Sequence, residues 1–192
     1  MKNLIVLMLS FASLNAFAKS GDRVGNGGDV VICGDKVELL DIYEAKSRGQ
    51  QFLKFESDEY QEIVRELIEK RLKPLQPKRA VTYLNNLKTF SEEARVLPGI
   101  HLNDVDDSGL VAIPTGCKLE QIVVQLKESD IPAGGNRYTV SADLWNKLDN
   151  FNQAALTLHE LIYREAIEND SASSMVVRSM VGQLLKKEMN LE

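Results

Sequence analysis

The sequence predicts an α+β fold: one domain in which a small antiparallel sheet packs with five to six helices and the C-terminal part is all helical. Three observations predict it. Short β-branched runs bounded by turn residues recur near the start and in the middle of the chain. Two stretches before residue 94 carry apolar residues at helical spacing, and from Ser141 onward every apolar pattern has the helical period. No internal repeat, heptad array or low-complexity tract divides the chain, so one domain of mixed type is the economical architecture.

Lys19 to Asp29 is rich in glycine and short polar residues, which predicts a mobile start and a flexible entry to the first strand. Val30-Val31-Ile32-Cys33 is a compact β run, and Gly34-Asp35-Lys36 turns it into Val37-Glu38-Leu39-Leu40 as a hairpin. Asp41 to Arg48 suits a short helix stopped by Gly49. Ser57 is a suitable N-cap, and Tyr60, Ile63, Val64, Leu67, Ile68 and Leu72 follow at helical spacing before Pro74. A second helix is expected over Arg79 to Glu93, with Val81, Leu84, Leu87 and Phe90 as its buried stripe. Strands are expected at Val96 to Leu102, Leu110 to Ile113, Cys117 to Leu126 and Arg137 to Val140, separated by turns at 106–109, 114–116 and 133–136. Ser141 caps a short helix bearing Leu144, Trp145 and Leu148. Asn152 begins the next, and Ser171 a last one carrying Val176, Val177, Met180, Val181, Leu184 and Leu185.

Met1 to Ala18 reads as a cleavable signal peptide, with Lys2, an apolar run from Leu4 to Leu14 and Ala16-Phe17-Ala18 as a small-x-small cleavage site. The mature protein is then an exported α+β domain over residues 19–192, in the periplasm or outside the cell. No later stretch approaches the roughly 20 apolar residues of a membrane span, so the mature chain is expected to be soluble. No cysteine follows the cleavage site, which argues against a lipid anchor there. The net charge of −5 comes without a basic stripe, which argues against a nucleic-acid partner, because phosphate binding needs localised Lys and Arg. The Glu66-Lys70-Arg71-Lys73 neighbourhood is mixed in sign and reads as a solvated helix face.

Cys33 and Cys117 are the two cysteines, and an oxidising compartment favours their pairing. Such a bridge stabilises by about 4 kcal/mol in the chain-entropy model. The rival readings are a metal-ligand pair and a catalytic thiol, and neither cysteine has a near His or Cys neighbour to support them.

Thr157-Leu158-His159-Glu160-Leu161-Ile162-Tyr163 matches the zinc-peptidase helix signature except at its end, where Tyr163 stands in the second histidine's place. Two imidazoles four residues apart share a helix face and one zinc, while the intervening Glu activates the bound water. A phenol ligates only when deprotonated, against a reference pKa of about 10. On a helical wheel His159 lies in one apolar arc with Ala155, Leu158, Ile162 and Ala166, while Thr157, Arg164 and Glu168 lie opposite and Glu160 sits at the edge. Glu165 falls between Leu158 and Leu161, where an unpaired carboxylate is costly, and Arg178 of the next helix is its expected partner in a structural ion pair.

Two readings of His159 follow. In the structural one it is a core histidine bonded to a carbonyl or carboxylate, and no cofactor is called for. In the functional one His159 and Tyr163 are metal ligands, zinc is the cofactor, and Glu160 is the catalytic base. Glu165 reaches the same metal as His159 only if the helix is distorted, and further ligands would come from elsewhere, such as His101 or Asp104.

Asp104-Val105-Asp106-Asp107-Ser108-Gly109 copies the first half of a calcium loop, but Thr115 stands where the bidentate Glu belongs, so a polar hairpin turn is the plainer reading. Gly25-Asn26-Gly27-Gly28-Asp29 precedes a strand rather than opening a helix, which argues against a phosphate cradle. With two histidines and many serines, no Ser-His triad can be assembled.

Gly25-Asn26-Gly27-Gly28-Asp29-Val30-Val31, Val37-Glu38-Leu39-Leu40-Asp41, Arg137-Tyr138 before Leu144-Trp145, and Ala154-Ala155-Leu156 leading into His159-Glu160-Leu161-Ile162-Tyr163-Arg164-Glu165 together resemble a family of small exported bacterial proteins. That resemblance covers most of the mature chain and brings no activity with it. The similarity to zinc peptidases spans about ten residues and departs at Tyr163. The sequence therefore favours an exported binding or structural module of the envelope, partnered by a protein or envelope component. A zincin-like hydrolase or peptidase using His159 and Glu160 is the alternative.

Overall fold

The computed structural model describes residues 25–26, 28–102, 112–171 and 173–188. Residues 1–18, expected as a signal peptide, and the calcium-loop-like run Asp104 to Gly109 lie outside them. The described residues form an α+β single-domain fold of seven strands and six α-helices around one apolar cluster.

Two small sheets carry the β part. β2 (Asp29–Cys33) and β3 (Lys36–Leu39) make the expected hairpin, joined by Gly34-Asp35 with Gly34 at φ 60°. A glycine fits there because a two-residue hairpin turn needs positive φ. β5 (Cys117–Gln121) flanks β2 on its other side. The second sheet runs β1 (Gly25–Asn26), β6 (Val123–Gln125), β7 (Tyr138–Ser141), β4 (Ala94–Leu97). β4 pairs with β7 in parallel, so the β part is not one purely antiparallel sheet. The expected strand at Val96 to Leu102 ends at Leu97. Ala112 and Ile113 belong to no strand, and the rest of the expected 110–113 strand lies outside the described residues.

Cys33 and Cys117 face each other in the β2/β5 ladder and form the disulfide, with a Cα–Cα distance of 4.4 Å. Ladder pairing alone brings their Cβ atoms within bridging range.

The helices are α1 (Leu40–Ser47), α2 (Tyr60–Leu67), α3 (Pro77–Glu93), α4 (Ala142–Trp145), α5 (Asn150–Glu168) and α6 (Met175–Leu185). α2 continues as a π-helical turn over Ile68–Leu72. Ser57 does not cap α2: its hydroxyl accepts from the Glu59 N–H at 3.1 Å, and the helix starts three residues later. Pro77 opens α3, a position that suits its fixed φ and missing N–H. The buried stripe of α3 is Ala80, Tyr83, Leu87 and Phe90, while Val81 is 56 % exposed, contrary to the expected stripe. Asp149 caps α5 by accepting from the Asn152 N–H at 2.8 Å. α6 begins at Met175 rather than Ser171.

α5 is the centre of the molecule. Every residue from Ala154 to Tyr163 is buried, because α2, α3, α6, α1 and β3 pack around it. A helix enclosed on all sides needs no polar face. Thr157, expected opposite the apolar arc, is fully buried and satisfies its hydroxyl on the Gln153 carbonyl at 2.9 Å.

Candidate functional site

Consecutive residues on a helix point about 100° apart, so His159 and Glu160 cannot serve one partner without effort. They serve two. His159 Nδ1 lies 2.8 Å from Asp41 Oδ1, and both side chains are buried. Asp41 sits in the first turn of α1, where the helix dipole favours a carboxylate. One turn on, Glu44 accepts from Nε of Arg178 at 3.1 Å, and Arg178 also donates to the Ser174 hydroxyl at 2.9 Å. The i,i+3 spacing of Asp41 and Glu44 places both acids on one face of α1, so each meets a basic group, one from α5 and one from α6.

Glu160 reaches the junction of the two sheets. The pairing of β1 with β6 and of β2 with β5 keeps a single antiparallel register, Gly25↔Gln125 through Cys33↔Cys117, interrupted around Gly28 and Ile122. In an unbroken ladder those two residues would exchange both backbone bonds. Here the Gly28 carbonyl accepts from Ile122 at 3.0 Å, but the Gly28 N–H donates to Glu160 Oε1 at 2.7 Å. The Ile122 carbonyl is taken by the Ser141 N–H of β7 at 2.9 Å. A buried carboxylate thus replaces a strand partner where β1 and β2 part into different sheets. Gly28 is required for space: a Cβ there would lie 2.1 Å from Leu156 Cδ1. The expected flexible entry is instead a packed crossing, with Asp29 4 % exposed.

Burial works against an imidazolium at His159, but the charge and hydrogen bond of Asp41, helped by Glu160, outweigh it and raise its pKa to about 9. Burial dominates at Glu160 and, with the Asp41 charge, pushes its pKa up to about 7 against the opposing pull of His159 and of the Gly28 N–H. Among the described residues, Glu160 Oε2, His159 Nε2 and Asp41 Oδ2 have no hydrogen-bond partner.

The sequence-predicted site is only partly brought together. Tyr163 packs its ring against His159, with centroids 5.9 Å apart, and is 1 % exposed. His101 is exposed, and Asp104 lies outside the described residues. Among the described residues no three His, Cys, Asp or Glu side chains converge to hold a metal. His159 Nδ1 is bonded to Asp41, which leaves Nε2 as its one further donor, and one oxygen of Glu160 is held by a backbone N–H.

The expected Glu165–Arg178 ion pair is not formed. Glu165 is bound by Arg79 at 3.0 Å and by the Tyr83 hydroxyl at 2.6 Å, both from α3, while Arg178 turns to Glu44. Glu165 lies on the α3 side of α5, and α1 presents its buried acid to α6. Asp41, Glu44 and Gly28 were missed as partners; two acids at i,i+3 beside the apolar run Leu39-Leu40 were the available signal. Arg137 was missed as well. It is 2 % exposed in its side chain and joins Glu168 at 3.0 Å, the Leu126 carbonyl at 3.1 Å, Glu93 at 3.5 Å and Glu128.

No protein-family model, curated protein or solved structure matches the chain.

Proposed function

We propose that this protein is an exported binding or structural module, in which His159 and Glu160 hold the scaffold together rather than perform hydrolysis. The observation that carries this reading is that both side chains are 0 % exposed and engaged with partners on other elements. A metallohydrolase needs an open coordination position and a route for substrate to the activated water. An inward-facing base whose bond closes a strand junction offers neither.

The concave surfaces of the described residues lie elsewhere. One runs between α2 and α3, past Arg65, Val81 and Lys88, and another between α3, α5 and α6, past Tyr83, Ala166 and Met180. Export rests on the sequence reading of residues 1–18, and the Cys33–Cys117 bridge is compatible with it.

The test is the metal content of residues 19–192, purified without chelator from an oxidising compartment, beside His159→Gln. The expected result is no stoichiometric metal in the wild type and no change in its melting temperature on chelation. Near-stoichiometric zinc that disappears in the variant, with generic peptidase activity in the wild type, would replace this reading with the hydrolase one.

A further inference from the structure

Two hollows of about 300 and 410 Å³ meet along α5, one toward α6 and one toward α3, and Arg79, Tyr83, Glu165 and Asn169 border both. They form one groove with unlike ends. Toward α6 the lining is apolar: Ile162 and Val177 are buried at its base, with Ala166, Met180 and Val176 around them. Val176 is 80 % exposed, more than any other large apolar residue among those described. Toward α3 the lining is polar, with Lys78, Thr82, Asn86 and Arg164.

The charges of the groove are unevenly paired. Both carboxylates have their donors: Glu165 accepts from Arg79 at 3.0 Å and from the Tyr83 hydroxyl at 2.6 Å, and Glu168 from Arg137 at 3.0 Å and the Glu128 N–H at 2.8 Å. The cations keep capacity. Arg79 sets Nε and Nη2 on one oxygen of Glu165, which leaves Nη1, and its side chain is 48 % exposed. Lys78 has no ion pair among the described residues. Lys78, Arg79 and Arg164 line this end against Glu165 and Glu168, so the complementary charge is an anion.

Size favours a small molecule over a protein. Small-molecule sites occupy about 300–1,000 Å³, and each hollow falls in that range. A stable protein interface takes about 800 Å² from each partner, whereas the apolar surface here is a few side chains bounded by charged ones.

We propose that this groove binds a single-chain amphiphile with an anionic head, a fatty acid, whose chain lies along Ile162, Ala166, Val177 and Met180 and whose carboxylate meets Arg79 and Lys78. Such a ligand extends the binding module proposed above and rests on that reading; the metal measurement there tests His159 and Glu160 whatever binds here. The chain takes Val176 and Met180 out of water, and the head gives Arg79 a second charged acceptor.

Methyl NMR of residues 19–192, titrated with dodecanoate below its micelle concentration, reads this directly. Saturable shifts are expected at Ile162, Val177 and Met180, with none at Val81 and Leu84, which line the separate groove between α2 and α3. Dodecyltrimethylammonium should bind about tenfold more weakly. Lys78→Glu and Val176→Asp change exposed side chains and leave the core intact. Each should weaken dodecanoate binding by about threefold or more, and added salt should lessen the Lys78 effect. No shift with dodecanoate, equal shifts at Val81 and Leu84, or equal affinity for the cationic amphiphile overturns the proposal. Shifts of the same methyls that grow with protein concentration alone would put a second copy in the groove. A short peptide ending in a leucine carboxylate that displaces dodecanoate at lower concentration would put a chain terminus there, and either result replaces the fatty acid.

Discussion

Asp41 and His159 stand 118 residues apart in sequence, yet their Oδ1 and Nδ1 atoms are 2.8 Å apart in the middle of the core, joining α1 to α5. With the Glu44–Arg178 contact one turn along α1, this pair fixes a short helix that has little amphipathic character of its own. The acids on α1 do for its docking what an apolar stripe does elsewhere.

Removing one member of a buried pair leaves the other uncompensated. Asp41→Ala is expected to cost about 3–5 kcal/mol of folding stability. The double variant Asp41→Ala/His159→Leu should cost less than that single change, since an apolar core tolerates the loss of both charges better than the loss of one. Urea denaturation of the wild type and these variants measures it. Additive losses would mean that the two residues do not interact.

Stability should fall as pH rises from weakly acid to alkaline. Both His159 and Glu160 have folded pKa values above their ordinary ones, so the native state binds more protons than the unfolded state. The Glu160 contribution is complete below 4.5 and is lost by about 7; the His159 contribution is complete below 6.5 and is lost by about 9. At about 1.4 kcal/mol per pKa unit, each amounts to about 3 kcal/mol. Melting temperatures from pH 5 to 10 should decline across both windows, and Glu160→Gln should remove the lower one. A profile that rises over this range would contradict the assignment.

Gly28→Ala forces a methyl against Leu156 Cδ1 and is expected to cost about 1–3 kcal/mol, the usual range for overpacking. Leu156 is fully buried and has little room to turn aside. Adding Leu156→Ala should recover part of the loss relative to the sum of the two single changes. A neutral Gly28→Ala would show the crossing to be loose.

Arg137→Met keeps most of the side-chain volume but strips the charge that gathers Glu93, Glu128 and Glu168. Those carboxylates are part exposed and can turn to water, so the expected loss is about 2 kcal/mol, below the cost of a fully buried unpaired charge. Calorimetry of the variant checks it.

The hairpin, the disulfide and the positions of the principal helices were legible in the sequence because each follows from local signals: a Gly-Asp turn, two cysteines, an apolar period. α5 was harder. Its residues 151–163 carry only His159 and Glu160 as ionisable groups other than tyrosine, which points to burial on all sides, but the helical wheel assumes one wet face and so put Thr157 on it and Glu160 at its edge. Gly28 illustrates a second limit. A glycine that permits close approach and one that permits flexibility look the same in sequence, and only the position of Leu156 separates them. Partner choice was the third: Glu165 had a suitable arginine in the next helix, but which helix packs on which side of α5 is a long-range fact.

The bridge between Cys33 and Cys117 encloses 84 positions of sequence separation, and α1, α2, α3 and β4 all lie within that covalent ring. A single backbone cut anywhere inside it, whether by a protease or by chemistry, severs the chain without releasing a piece. Such a nicked molecule would still run as one species until a reductant parted it into two.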